Sequence, residues 1–216
     1  MTGSRERILA KVRRRQGRGG PLSVAERETV ETYLRRHPRG PLRPPPGDVI
    51  AQFRARAEAS ASSIDRVAVL NAVPAAVARY LNAHKLPRSG CVWPRLAQLD
   101  WGSAGLALEP RAARAGDLVG VTGVFCAIAE TGTLMLCSGE DTPASASLLP
   151  ETHVAIVPLQ RIVAYMEDGW ELARAELGQL PRAVNFISGP SRTADIEQTI
   201  VLGAHGPYRV HIVLVG

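Results

Sequence analysis

Apolar residues along this chain fall into two regimes. Before residue 48 they are sparse and helically spaced. Ile8, Leu9 and Val12 share one face of a helix expected over residues 4–15. Gly17, Gly19, Gly20 and Pro21 interrupt it. Ser23 with Glu26 three positions on is a capping box, opening a second helix that runs to about Arg36 and stops before Pro38. Pro38 to Gly47 is proline-rich and reads as an extended linker. Residues 1–47 therefore form an N-terminal helical arm with a thin core, and 48–216 form the body.

In the body, Asp48 to Ser60 is expected to be a helix with Val49, Ile50, Phe53 and Ala57 on its inner face. A short strand is expected over Arg66 to Leu70. Pro74 suits the first turn of the next helix. Gly90 to Trp93 and Leu106 to Leu108 are further short strand candidates. Later the period shortens. Leu118–Val121, Leu134–Cys137, Val154–Val157, Val184–Ile187 and Val210–Val215 are compact runs rich in β-branched residues. Helices are expected between the last three, over about Arg161–Leu177 and about Thr193–Leu202. Strands alternating with helices predict an α/β protein: a three-layer α/β/α sandwich on a largely parallel sheet.

Composition changes this picture little. The chain has 216 residues and 45% apolar residues, enough for a full core without covalent staples. No apolar run approaches the roughly 18 residues that span a bilayer, and the Arg-rich start lacks the apolar stretch of a secretory signal. A cytoplasmic protein is expected. Cys91, Cys126 and Cys137 lie among apolar neighbours with no C-x-x-C pair, so they are expected in the core rather than on a cluster or zinc ion. A redox cofactor is not expected. Charge is uneven. The net +6 comes from the arm, where Arg5 to Arg18 are not interleaved with aromatics that could stack on bases. Arginine is the general cation here, since only Lys11 and Lys85 are lysines. Nucleic acid is therefore not the expected partner.

Three glycine-containing loops hold the candidate chemistry. The first is Ala129-Glu130-Thr131-Gly132-Thr133. Glu130 is either a carboxylate for nucleophilic or base chemistry or an acceptor for the N–H groups of its own turn. The second runs from Ser188 through Gly189, Ser191, Arg192 and Thr193 to Asp195, read as a strand-to-helix turn. Such turns sit where open α/β sheets place ligands. Gly189 permits close backbone approach, Ser191 and Thr193 could cap the helix, and Arg192 could pair with an anion. The other reading is a well-capped structural turn, with Asp195 and Glu197 answering the helix dipole. The third is Gly203-Ala204-His205-Gly206-Pro207, where Gly203 suits a helix C-cap and His205 a turn. Loops leaving parallel strands share one edge, so Glu130 and Ser191 are expected near one cleft. His205 and Gly206 would join them only if the intervening helix is short or the last strand antiparallel.

AIAETGTLML at 127–136, SLLPETHVAIVP at 147–158, ISGPSRTADIE at 187–197 and GAHGP at 203–207 resemble the LUD domain family, the LutC/YkgG-type lactate-utilisation proteins. The resemblance covers about residues 48–216 and is strongest from 117 onward. It implies a fold similar to the NagB/RpiA/CoA-transferase-like sandwich. It also implies an accessory role beside iron–sulfur proteins that oxidise L-lactate, with a partner or a small anionic ligand bound. The clusters would belong to the partners, in keeping with the three cysteines here. The alternative is an independent enzyme of the same superfold, acting on an acyl, CoA-linked or phosphorylated substrate through Glu130. The ligand residues implied are Thr131, Gly132, Thr133, Gly189, Ser191, Arg192, Thr193, Asp195, His205 and Gly206.

Overall fold

The computed structural model describes residues 3–17, 20, 22–45, 47–193, 201–203 and 205–216. By its internal contacts the chain divides into two units, Met1–Pro44 and Pro45–Gly216.

The first unit holds α1 (Ser4–Arg15) and α2 (Val24–Arg36). The capping box at the start of α2 forms as the sequence predicts: Glu26 N–H donates to Ser23 Oγ, and Ser23 N–H donates to the Glu26 carboxylate at 2.9 Å. Neither helix contains a buried residue.

The second unit begins with α3 (Val49–Ala59), whose N-cap Asp48 accepts from the N–H groups of Ile50 and Ala51. Six strands then build a wholly parallel sheet. They are β1 (Ser63–Val67), β2 (Ser89–Val92), β3 (Ala107–Pro110), β4 (Val119–Gly123), β7 (Thr152–Pro158) and β12 (Arg209–Val215). Their spatial order is β1-β12-β7-β4-β2-β3. The central strands β4, β7 and β12 are the β-branched runs, as a sheet buried on both faces requires. β1 starts three residues before the strand expected at Arg66–Leu70, because pairing with β12 begins at Ser63 opposite His211. It is an edge strand, so polar Ser63, Asp65 and Arg66 are tolerated and the apolar signal that locates a strand is weak there.

Register assigns the two faces. Val121, Val154 and His211 lie side by side, and Tyr80 of α4 (Val73–Ala83) stacks on His211 with ring centroids 3.7 Å apart. Gly120, His153 and Val210 point the other way, where α5 (Ser145–Leu148) crosses so closely that a Cβ on Gly120 would sit 2.1 Å from the Ala146 carbonyl. Helices thus cover opposite faces of a parallel sheet, the α/β sandwich predicted.

A second, four-stranded sheet was not anticipated. It comprises β5 (Cys126–Ile128), β6 (Thr133–Cys137), β8 (Ile162–Val163) and β9 (Val184–Ile187), in the order β8-β5-β6-β9. β6 runs antiparallel to both β5 and β9. The expected strands at 134–137 and 184–187 are therefore real but belong here, outside the parallel sheet. The helix expected from Arg161 becomes β8 followed by α6 (Met166–Leu177), since Ile162 and Val163 pair with β5 instead. Cys126, Ile128, Met135 and Ala173 form a separate core between this sheet and α6. Gly169 allows the approach, with a Cβ there only 3.2 Å from the sulfurs of Cys126 and Met135.

The helix expected over Thr193–Leu202 is overturned at its ends. Arg192–Thr193 (β10) pairs antiparallel with Val201–Leu202 (β11), Thr193 opposite Val201. Residues on one continuous helix cannot face each other across a ladder. Residues 194–200, with Asp195 and Glu197, lie outside the described residues.

Candidate functional site

The three predicted loops come together through specific contacts, but not at the edge the sequence suggested. Ala129 and Glu130 extend the β5–β8 ladder, their N–H groups donating to the carbonyls of Val163 and Ala164. Glu130 is half-buried and its charge helps raise the pKa of Tyr165, after burial. Thr131, Thr133 and Ser188 then form a chain of hydroxyls, with oxygens 2.7 and 2.6 Å apart. Ser191 joins the third loop: its N–H donates to the Pro207 carbonyl, and its carbonyl accepts from Gly203 N–H. A Cβ on Gly206 would stand 3.2 Å from that of Ser191. His205 is exposed and Ala204 lies outside the described residues.

Two of the glycines fix where this assembly sits. Gly132 has φ +67°, and a Cβ there would lie 2.3 Å from Ala57 N. Gly189 has φ +75°, and its Cβ would lie 1.9 Å from the Ser60 carbonyl. The close approach that Gly189 permits is thus to the end of α3, which feeds the amino end of β1. The Gly203–Pro207 loop feeds the amino end of β12. Gly206 also lines a small hollow of about 380 Å³ with Leu149, Glu151, Gly203, Tyr208 and Arg209.

Two assignments change. Ser191 N–H is spent on Pro207 and Thr193 is in a ladder, so neither is an N-terminal group of a helix waiting for an anion. Gly203 ends a strand, with φ +76°, rather than capping a helix.

A larger opening lies elsewhere, at the carboxyl ends of the parallel strands. From β2 the chain steps out to the edge strand β3, crosses back to β4, and proceeds the opposite way through β7 and β12. Strand order reverses between β2 and β4, and such a reversal leaves a crevice beyond the carboxyl ends of the two strands. A cleft of about 790 Å³ occupies this place. Trp93 follows β2 and is anchored at both ends, its backbone N–H on the Val121 carbonyl and its indole N–H on the Pro143 carbonyl. Gly123 ends β4, with its missing side chain leaving room 3.6 Å from the Trp93 ring. Phe125 forms a further wall with Arg161 over its ring. Arg161 is neutralised by a two-pronged pair with Glu176, at 2.7 and 2.9 Å, and donates to the Phe125 carbonyl. Arg95 stands exposed at the rim. Among the described residues, neither Glu130 nor any from the loops after 188 and 203 lines this cleft.

Sequence reasoning missed these residues. It applied the right rule to the wrong strand, because β9 looks like a parallel-sheet strand locally. Trp93 and Gly123 do sit at the ends of anticipated strands. What marks them is the reversal of strand order, which no local pattern encodes.

Burial governs the cysteines. It pushes the Cys91 thiol up to about 11 and the Cys126 thiol up to about 12, so both remain protonated at neutral pH. Among the described residues, no group of three His, Cys, Asp or Glu could hold a metal ion. No helix among them is long and apolar enough to cross a membrane.

The α/β fold is shared with a protein of known structure. The crystal structure of a DUF162 family protein from Deinococcus radiodurans superposes with a TM-score of 0.58, covering 78% of this chain and 96% of that one at 24% identity. The LUD domain model matches residues 95–215, more than half of the chain, and the chain belongs to the LUD domain family. Relatives include the lactate utilization protein C of Bacillus subtilis, 41% identical over 45% of this chain and 42% of its own length. That of Bacillus licheniformis is 36% identical over 57% of this chain and 53% of its own. The chain thus spans about half the length of the relatives it matches.

Proposed function

We propose that the chain acts in lactate utilisation as a LutC-type accessory component, beside iron–sulfur proteins that oxidise L-lactate to pyruvate. The observation that carries this reading is the LUD match over residues 95–215, which contains every loop on which the resemblance to those proteins was drawn. The cysteine chemistry agrees with it. Cys91 and Cys126 are buried in two separate hydrophobic clusters, where each packs as a small apolar side chain, and in this reading the electron-carrying groups belong to the partners.

The test is reconstitution. The full chain, its candidate iron–sulfur partner proteins, and the mixture are each assayed for L-lactate-dependent reduction of a dye. Full activity only in the mixture is the expected result. Equal activity without this chain overturns the reading. Acyl or CoA transfer by the isolated chain, abolished by Glu130→Gln, would replace it with the transferase alternative.

A further inference from the structure

The cleft at the strand-order reversal has a composition that specifies a ligand class. We infer that it binds a cofactor-sized organic monoanion, whose single acidic group pairs with Arg95 and whose flat apolar body lies against Trp93 and Phe125. The inference stands independently of the lactate reading.

Size comes first. A volume of about 790 Å³ belongs to the range of cofactor and drug-sized sites, which run from roughly 300 to 1,000 Å³. A three-carbon hydroxy acid would leave most of it to water. Charge comes second. Among the described residues the lining carries three charged side chains: Arg95, Arg161 and Glu176. The last two cancel in their bidentate pair, and the Phe125 carbonyl takes the remaining direction of the Arg161 fork. One cation is left to answer one anion. Asp141 approaches Arg95 only through its backbone carbonyl, which accepts from Arg95 N–H at 3.4 Å. Shape comes third. Gly123 ends a strand on the face of Val119 and Val121, where any side chain would stand in front of Trp93. Its absence opens a slot against an aromatic wall. Phe125, with a guanidinium already over its ring, continues that wall.

The experiment uses the full chain and two probes of equal shape. One is 8-anilinonaphthalene-1-sulfonate, a flat aromatic monoanion. The other is N-phenyl-1-naphthylamine, which lacks the sulfonate. Fluorescence titration should show one saturable site for the anion. Arg95→Gln, at an exposed position, should weaken the anion about tenfold and leave the neutral probe unchanged. Gly123→Val, which fills the slot at ordinary contact distance from Trp93, should weaken both. Thermal melts of each variant should match the parent. If Gly123→Val melts early, Arg95→Gln alone decides the matter. Anion binding that survives Arg95→Gln unchanged, or that is multiple and unsaturable, overturns the proposal, since it would place the probe on other exposed apolar surface.

Discussion

Among single residues, the glycines at 132 and 189 have the sharpest physical definition. Each combines a left-handed φ with a backbone neighbour that a Cβ would overlap. Each therefore incurs backbone strain and overpacking at once, and the nearest obstructing atoms are backbone, in the last turn of α3 for Gly132 and in its C-cap Ser60 for Gly189, rather than the end of a flexible side chain. Gly132→Ala and Gly189→Ala should each destabilise by about 2–4 kcal/mol, read from urea midpoints. A change under about 0.5 kcal/mol in either would show that the loop and α3 can separate freely. The buried histidines make a second residue-scale prediction. Burial pushes His153 down to about 3 and His211 down to about 4, so both are neutral in the folded protein. His153 bonds Thr122 Oγ1 at 2.8 Å, and His211 bonds Ser63 Oγ at 2.9 Å. In the unfolded chain each titrates near 6.5. Between the folded and unfolded values the unfolded state holds more protons, so stability rises with pH across that window and is lost as pH falls below about 6.5. At pH 5 the loss should be about 2 kcal/mol per histidine, roughly 4 in all. Urea unfolding at pH 7 and pH 5 measures it. His153→Gln should remove about half of the difference, and an unchanged slope would mean that this ring charges without unfolding the protein.

At the scale of elements, legibility followed how local the deciding interactions are. Ser23 and Glu26 close a capping box within four residues, and α2 begins where they place it. Val184–Ile187 was legible as a strand to the residue, because β-branched side chains prefer a pleated backbone whichever sheet receives them. Its partner was not, since antiparallel pairing of Leu134 with Ile187 depends on a chain reversal some fifty residues earlier. β5 was missed for a related reason. Cys126, Ala127 and Ile128 are only three residues, too few to give a period, and they are held by neighbours on both sides. The two ends of the segment from 192 to 202 misled. The capping residues and acidic positions that follow imitate a helix start in the sequence, while the antiparallel register of Thr193 with Val201 is a pairing no local pattern shows. The candidate site inherited these differences. The sequence suggested that the loops at 130 and 191 lie near one another, and the hydroxyls of Thr131, Thr133 and Ser188 do link the first two loops, whereas Trp93, Gly123 and Arg95 depend on strand order across the whole sheet.

For the whole molecule, the division between residues 44 and 45 separates two kinds of chain. The body contains both buried clusters, and its core side chains begin at Phe53. Among the described residues of the first 44 none joins either cluster, and Ile8 and Tyr33 are 63% and 64% exposed. Helices of 12 and 13 residues are marginal on their own when no tertiary packing supports them. The charge divides at the same place: twelve of the 26 Lys and Arg but only four of the 20 Asp and Glu precede residue 45. A chain beginning at Pro45 should therefore keep one cooperative unfolding transition, with a free energy within about 0.5 kcal/mol of the parent, the range for changes away from packed features. Its net charge should change sign, from +6 to −2, since 14 basic and 16 acidic residues remain. Two measurements check this together. Urea unfolding should superpose for the two chains, while at pH 7 the parent should be retained by a cation exchanger and the shortened chain should pass through. Loss of the cooperative transition would show that the arm completes the core. Retention of the shortened chain on the cation exchanger would locate the basic surface on the body, around residues such as Arg95 and Arg192, instead of the arm.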